Sequence, residues 1–330
     1  MNASEALDEK PFVEVVIPFG PWTDDVIECV AHFRESRHRA FRLWLVPDAA
    51  PTPDWTARLD ALSLEQEVRI HPTGGGNPAQ KRNAILRLAD SDCFAFIDSD
   101  AFAPPRWLER AVALLDNGVA IVTGPNLTPP DNPMTRRVSG YVMESPLGFG
   151  AAYLRHTPLS ARTLDEMPTC NMIVRRPPRV EFREEFDTAE DMMFCRDIRD
   201  AGGTIHYDPF VVVYHHRRPV FRAFIRQFNA YGRDKGRLFR AGAGAQIWNA
   251  APALLTLYLI GWLLLMIFPT PRIVQVLGTV PLLFYLLFVS GESFRMARRL
   301  APAFFTMPAF VAAHLAYGLG FLRGMGKGEG

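Results

Sequence analysis

At 330 residues the chain is long enough for about two domains, and 36 basic against 35 acidic side chains leave a formal net charge of +1. A hydrophobic fraction of 48% with 22% charged residues excludes a disordered or fibrous chain, and 27 Pro with 24 Gly exclude a collagen-like one. The neutrality is an average: residues 1–216 carry a net −10 and residues 217–330 a net +11, so the two parts face different surroundings.

Residues 11–216 alternate β-branched or aromatic runs with amphipathic helices, the mark of an α/β domain on a mostly parallel sheet. FVEVVIPF (12–19) predicts a first strand stopped by Pro18, and Thr23 an N-cap for a helix with Val26, Ile27, Val30 and Phe33 at helical spacing. FRLWLV (41–46) predicts a second strand ending at Pro47-Asp48. Asn77-Pro78-Ala79-Gln80 supplies an N-cap, a first-turn proline and the Gln of a capping box for a helix to about Ala89. CFAFI (93–97) is a hydrophobic strand running straight into Asp98-Ser99-Asp100, followed by a helix over 104–115 and a strand over 119–123. The stretch 124–168, with Pro125, Pro129, Pro130 and Pro133, is expected to be irregular and to shape an acceptor site. NMIVR (171–175) predicts a strand, Thr188 caps a helix, and strands follow near 204–207 and 210–214.

The segment 217–240 has eight Lys/Arg and one acid, with Phe221, Phe224, Ile225 and Phe228 on one helical face. It is expected to lie in a headgroup layer, and the apolar stretches that follow it argue against nucleic acid as its target. Three stretches, 247–268, 273–290 and 301–322, are apolar and long enough to span a bilayer, with Pro302, Pro308 and His314 in the third leaving a kinked or re-entrant form open. Arg233, Lys235, Arg237, Arg240, Arg295, Arg298 and Arg299 flank one side, and Arg272, Arg323 and Lys327 the other; the excess predicts a cytoplasmic N-terminal domain. No cleavable secretory signal is expected from the first residues, because Glu5, Asp8 and Glu9 stand where a basic and then an apolar run would be needed.

Asp98 and Asp100 carry the strongest chemical signal. Positions i and i+2 of an extended exit point the same way, so both carboxylates project from the carboxyl end of a buried strand, where they suit Mg²⁺ or Mn²⁺ and a diphosphate; a solvated turn is the alternative. Glu190 and Asp191 open a helix, where a carboxylate can take the proton of an attacking hydroxyl or simply favour the helix dipole. His215 or His216 could complete a metal's coordination, and Arg217 and Arg218 could meet phosphate oxygens. Asp48 could accept from a base or ribose or cap its turn, and Lys81, Arg82 and Asn83 could approach a nucleotide or form a solvated face. Gly74-Gly75-Gly76 is not GxGxxG, and no GxxxxGK[ST] occurs. The four cysteines, Cys29, Cys93, Cys170 and Cys195, form no CxxC pair and are read as reduced core residues.

VEVVIPFG, Asp48, KRN (81–83), FIDSDA (96–101) with WL (107–108), CNMIVRR (170–176), AEDMMFCRDIRDAGG (189–203) and QFNAYGR (227–233) occur in an order that resembles the family 2 glycosyltransferases over about residues 10–240, closest to membrane-anchored exopolysaccharide or succinoglycan-type members. The resemblance implies a GT-A (Rossmann-like) fold, a nucleotide-diphosphate sugar donor, a divalent cation (Mn or Mg) at Asp98 and Asp100, inversion, a catalytic base at Asp191 and a base or ribose contact at Asp48. It further implies a polyprenyl-linked saccharide acceptor at the cytoplasmic face of a bacterial inner membrane, with other polysaccharide-assembly proteins as partners. Pro47-Asp48-Ala49-Ala50 replaces the family's double acid with Gly-Ser, and Gln227 to Tyr231 replaces the QxxRW of processive members, so single-sugar transfer is expected. Two alternatives stay open: a synthase using polyprenyl phosphate itself as acceptor, and a non-catalytic assembly subunit.

Overall fold

The computed structural model describes residues 11–115, 118–176, 180–185, 190–242 and 247–326; Thr188 and its expected cap, Lys327, and Glu5, Asp8 and Glu9 lie outside them. In chain order the elements are β1 (Val13–Pro18), α1 (Asp24–His32), β2 (Phe41–Val46), α2 (Pro53–Asp60), β3 (Val68–Ile70), α3 (Pro78–Leu88), β4 (Cys93–Ile97), β5 (Ala101–Phe102), α4 (Trp107–Leu115), β6 (Ile121–Thr123) and β7 (Asn126–Leu127). Then follow α5 (Met134–Met143), α6 (Pro146–Phe149), β8 (Arg162–Thr163), β9 (Asn171–Arg175), α7 (Glu190–Asp200), β10 (Ile205–Tyr207), β11 (Val213–His215), α8 (Arg222–Arg240), α9 (Ala251–Ile267), α10 (Arg272–Ala297) and α11 (Leu300–Gly326). Residues 1–127 with 154–215 form one compact unit, and residues 128–153 with 216–330 a second.

The first unit holds an eight-stranded sheet in the order β3-β2-β1-β4-β9-β6-β10-β8 and a small sheet β5-β11-β7. β1 pairs in parallel with β2 and β4, β2 with β3, and β6 with β10, whereas β9 runs antiparallel between β4 and β6. Strands covered on both faces read as continuous apolar runs. In β4, Cys93, Ala95 and Ile97 face the layer containing Val26, Val30 and Leu108, while Phe94 and Phe96 face the layer containing Ile85, Phe194 and Ile198. The expected strand over 210–214 is shorter and later, because Phe210 N–H donates to Asp208 Oδ1 at 2.7 Å and Val211 N–H to Asp208 O at 3.1 Å, a turn that delays pairing to Val213.

In the second unit the Pro-rich stretch is not irregular throughout: Pro133 caps α5 and Pro146 opens α6, positions where a proline's missing N–H is no loss. Val138, Val142 and Met143 of α5 pack with Phe224 and Phe228 of α8 and with Phe310 and Ala313 of α11. Half of the expected interfacial face of 217–240 is therefore core: Phe224 and Phe228 are buried, and Phe221 and Ile225 are exposed. α8 and α11 touch backbone to backbone. A Cβ added at Gly232 or Gly236 would stand 2.0 or 2.3 Å from the carbonyl oxygen of Tyr317 or Phe321, and one at Gly320 or Gly324 would stand 2.1 Å from that of Asn229 or Arg233. α9 (with the preceding turn from Ile247), α10 and α11 are long and apolar enough to cross a membrane; 11% and 6% of the first two stretches is buried, against 50% of α11. α11 is one continuous helix through Pro308, and His314 Nε2 bonds to Leu147 O at 2.8 Å.

Candidate active site

Asp98 and Asp100 follow β4 directly, and two antiparallel pairings decide what meets them. Ile97 pairs with Asn171, so one step further Cys170 stands opposite Asp98. Ala101 pairs with His215, and His215 Nε2–H donates to Asp100 Oδ1 at 3.0 Å. Ligand atoms of Asp98, Cys170 and His215 lie within 4.8 Å of one another. Burial raises the Cys170 thiol pKa, against the lowering influence of His215. Burial also opposes charge on the His215 ring, but Cys170 and Asp100 outweigh it and hold its pKa well above the usual value. A carboxylate, a thiol and an imidazole converging in this way, with Asp100 bonded to the ring, can hold a divalent cation.

The three residues Lys81, Arg82 and Asn83 are buried rather than solvated, in a helix that packs against β1. Asn77 Oδ1 accepts from Gln80 N–H and Gln80 Oε1 from Asn77 N–H, both at 3.0 Å, completing the expected capping box. Gly74, Gly75 and Gly76 precede it with φ of 72°, 119° and 105°, a path open in practice to glycine alone. Lys81 Nζ donates to Phe19 O and Asp48 Oδ1, fixing a carboxylate that stays half exposed. Arg82 donates to Glu190 Oε1 at 3.1 Å and to Asp98 Oδ1 at 3.4 Å, tying the start of α7 to the end of β4. Asn83 does not reach the site: its amide donates to Phe182 O and Glu184 Oε1 and accepts from Phe182 N–H.

Glu190 and Asp191 are the first residues of α7. Burial raises the pKa of Asp191, while the charge of Arg155, the Met192 N–H at 2.7 Å and the charge of Arg82 pull it back. Burial raises that of Glu190 too, helped by the charge of Asp191. Arg155, which also donates to Glu166 at 2.5 Å, carried no sequence signal. Cys170 was legible only as a core thiol.

His216, Arg217 and Arg218 belong to the second unit. There His216 Nδ1 bonds to Asn132 Oδ1 at 2.8 Å, Arg217 is buried and donates to Thr128 Oγ1 at 3.2 Å, and Arg218 is exposed.

Residues 15–175 match the sequence model of Glycosyl transferase family 2. That match takes in just under half of the chain. The Pre-mycofactocin glycosyltransferase of Mycobacterium tuberculosis, in two strains, is 28% identical over 201 residues; the match takes in 59% of this chain and 41% of the relative, so it spans less than half of that protein's length. The mannosyltransferase PcManGT from Pyrobaculum calidifontis, solved in complex with GDP-Man and Mn²⁺, shares the fold with a TM-score of 0.55 at 15% identity, over 93% of this chain and 86% of that one. S. aureus TarS 1-349 in complex with UDP-GlcNAc gives a TM-score of 0.45 at 15% identity, over 69% of this chain and 66% of that one. The matched residues run from within β1 to the end of β9 and include Asp98, Asp100 and Cys170.

Proposed function

We propose that the chain is an inverting glycosyltransferase that moves one sugar from a nucleoside-diphosphate sugar to a hydroxyl of a lipid-linked saccharide at a membrane. The observation that carries the reading is the Arg82 bridge, which joins Asp98 at the end of β4 to Glu190 at the start of α7. A donor-side carboxylate and a candidate base thus share one rim.

In this reading the acceptor hydroxyl attacks the anomeric carbon from the face opposite the leaving diphosphate, and Asp191 takes its proton as the new bond forms. The Met192 N–H and the Arg155 charge hold the Asp191 carboxylate ready, and the helix start favours its negative form. Asp48, held by Lys81, accepts from the donor's ribose or base. Asp98 and His215, which lie in one cluster, and Asp100, which bonds to His215, would hold a divalent cation, manganese or magnesium, as a divalent cation accompanies GDP-Man in PcManGT. When bound, such an ion neutralises charge developing on the leaving diphosphate. The exposed apolar lengths of α9 and α10 support a bilayer as their surroundings, and the basic residues of α8 and of 295–299 support their side as the cytoplasmic one.

Release of nucleoside diphosphate from a panel of UDP-, GDP- and dTDP-sugars tests the reading. Asp98→Asn and Asp191→Asn are each expected to lower turnover by ~10²–10⁴. If both variants kept wild-type turnover and metal dependence, the assignment would fall.

A further inference from the structure

We propose that the cation site of the first unit is a mixed one, in which the Cys170 thiolate joins Asp98 and His215, and that it therefore takes thiophilic divalent cations of the zinc and cadmium class in competition with manganese or magnesium. The proposal rests on the reading of Asp98, Asp100 and His215 as a cation site.

The fold brings the sulfur there by register. Because β9 runs antiparallel to β4, the residue preceding β9 is set beside the residue following β4, and that residue is a cysteine. The second antiparallel pairing, β11 with β5, delivers the imidazole. The three ligand atoms come within 4.8 Å of one another, close enough for one ion to touch all three. Asp98 and His215 keep 35% and 21% of their side-chain surface exposed, whereas Cys170 is 3% exposed. An ion thus enters past the carboxylate and the ring and finds the sulfur at the inner wall.

The chemistry of the set decides the class of ion. Carboxylates alone favour magnesium or manganese, whereas adding imidazole and thiolate shifts preference towards zinc and its heavier congener. On binding, a metal–sulfur bond forms as the S–H bond breaks, and the proton passes to solvent; no oxidant takes part. Cys29 and Cys195 provide the contrast. Their sulfurs face the backbone oxygens of Asp98 and Met167, at 3.8 and 3.6 Å.

The test uses the full chain in detergent with Cd²⁺ alone as probe, read by the ultraviolet thiolate-to-cadmium charge-transfer band, and with Mn²⁺, read by electron paramagnetic resonance. The wild type, Cys29→Ala and Cys195→Ala should each bind one Cd²⁺ with the band. Cys170→Ser and Cys170→Ala should lack it and bind Cd²⁺ at least about tenfold more weakly. Both should keep one Mn²⁺ per chain, which also certifies that they are folded, while His215→Ala should weaken both ions. A band of wild-type intensity in either Cys170 variant would overturn the proposal. So would a wild type that binds Mn²⁺ but shows no band, and that result would leave the donor-site reading standing. A wild type that bound neither ion would overturn both.

Discussion

As the proposed base, Asp191 meets two opposing demands, since a general base must be ionised to work and its burial resists ionisation. Its pKa is raised by burial, so the rate constant kcat/KM of the free enzyme should climb with pH through an apparent value above the ordinary aspartate range. The same shift acts on stability. A carboxyl whose folded pKa is raised contributes stability below its unfolded pKa, and that contribution is lost as pH rises through the folded value. Asp191→Asn should therefore match or exceed the wild-type melting temperature at neutral pH, with the advantage vanishing at acid pH, even as turnover collapses. Thermal melts across pH read this directly. A lower melting temperature at neutral pH would mean that the carboxylate is itself a structural tie. Arg82 is the converse case: it is buried between Asp98 and Glu190. Arg82→Leu alone should destabilise by roughly 3–5 kcal/mol because it strands a buried acid, and adding Glu190→Leu should recover much of that loss.

Elements were legible where several residues repeat a signal. The strands at 13–18, 41–46 and 93–97 stand out because both faces are buried, and α3 because its start is written in Asn77, Pro78 and Gln80. Replacing Asn77 by Ala should cost about 1 kcal/mol or somewhat more, since the same side chain also donates to Glu184 O at 2.7 Å; a melting shift near zero would show the cap to be redundant. β5, β7 and β8 have two residues each and show no period, so nothing in the sequence marks them. Their pairings nevertheless set the site. Which of two adjacent histidines meets Asp100 follows from β11 pairing with β5, and the nearness of Cys170 to Asp98 follows from the direction of β9. A lone cysteine without a spaced partner reads as core, which Cys170 is, and only register shows that it also lies beside Asp98. The prolines of 124–168 read as irregularity although two of them sit at helix starts, where proline is tolerated.

At the scale of the whole molecule, the charge contrast of −10 against +11 suggests a linear boundary after residue 216, whereas the two compact units interleave along the chain. Residues 128–153 leave the first unit and join the second, where Ser145 bonds to Glu292, and Val138, Val142 and Met143 lie in the core with α8 and α11. This bears directly on how the protein can be divided. Cutting the gene after codon 216, the natural place to excise a water-soluble catalyst, would strip that inserted loop of its helical neighbours and bare three apolar side chains to solvent. Such a fragment should aggregate on size-exclusion chromatography, whereas one whose Val138, Val142 and Met143 are changed to Ser, Thr and Gln should elute as a monomer. Equal behaviour of the two would mean that the loop shelters itself. Helices encoded late in the gene thus serve as packing partners for a stretch encoded well upstream of them.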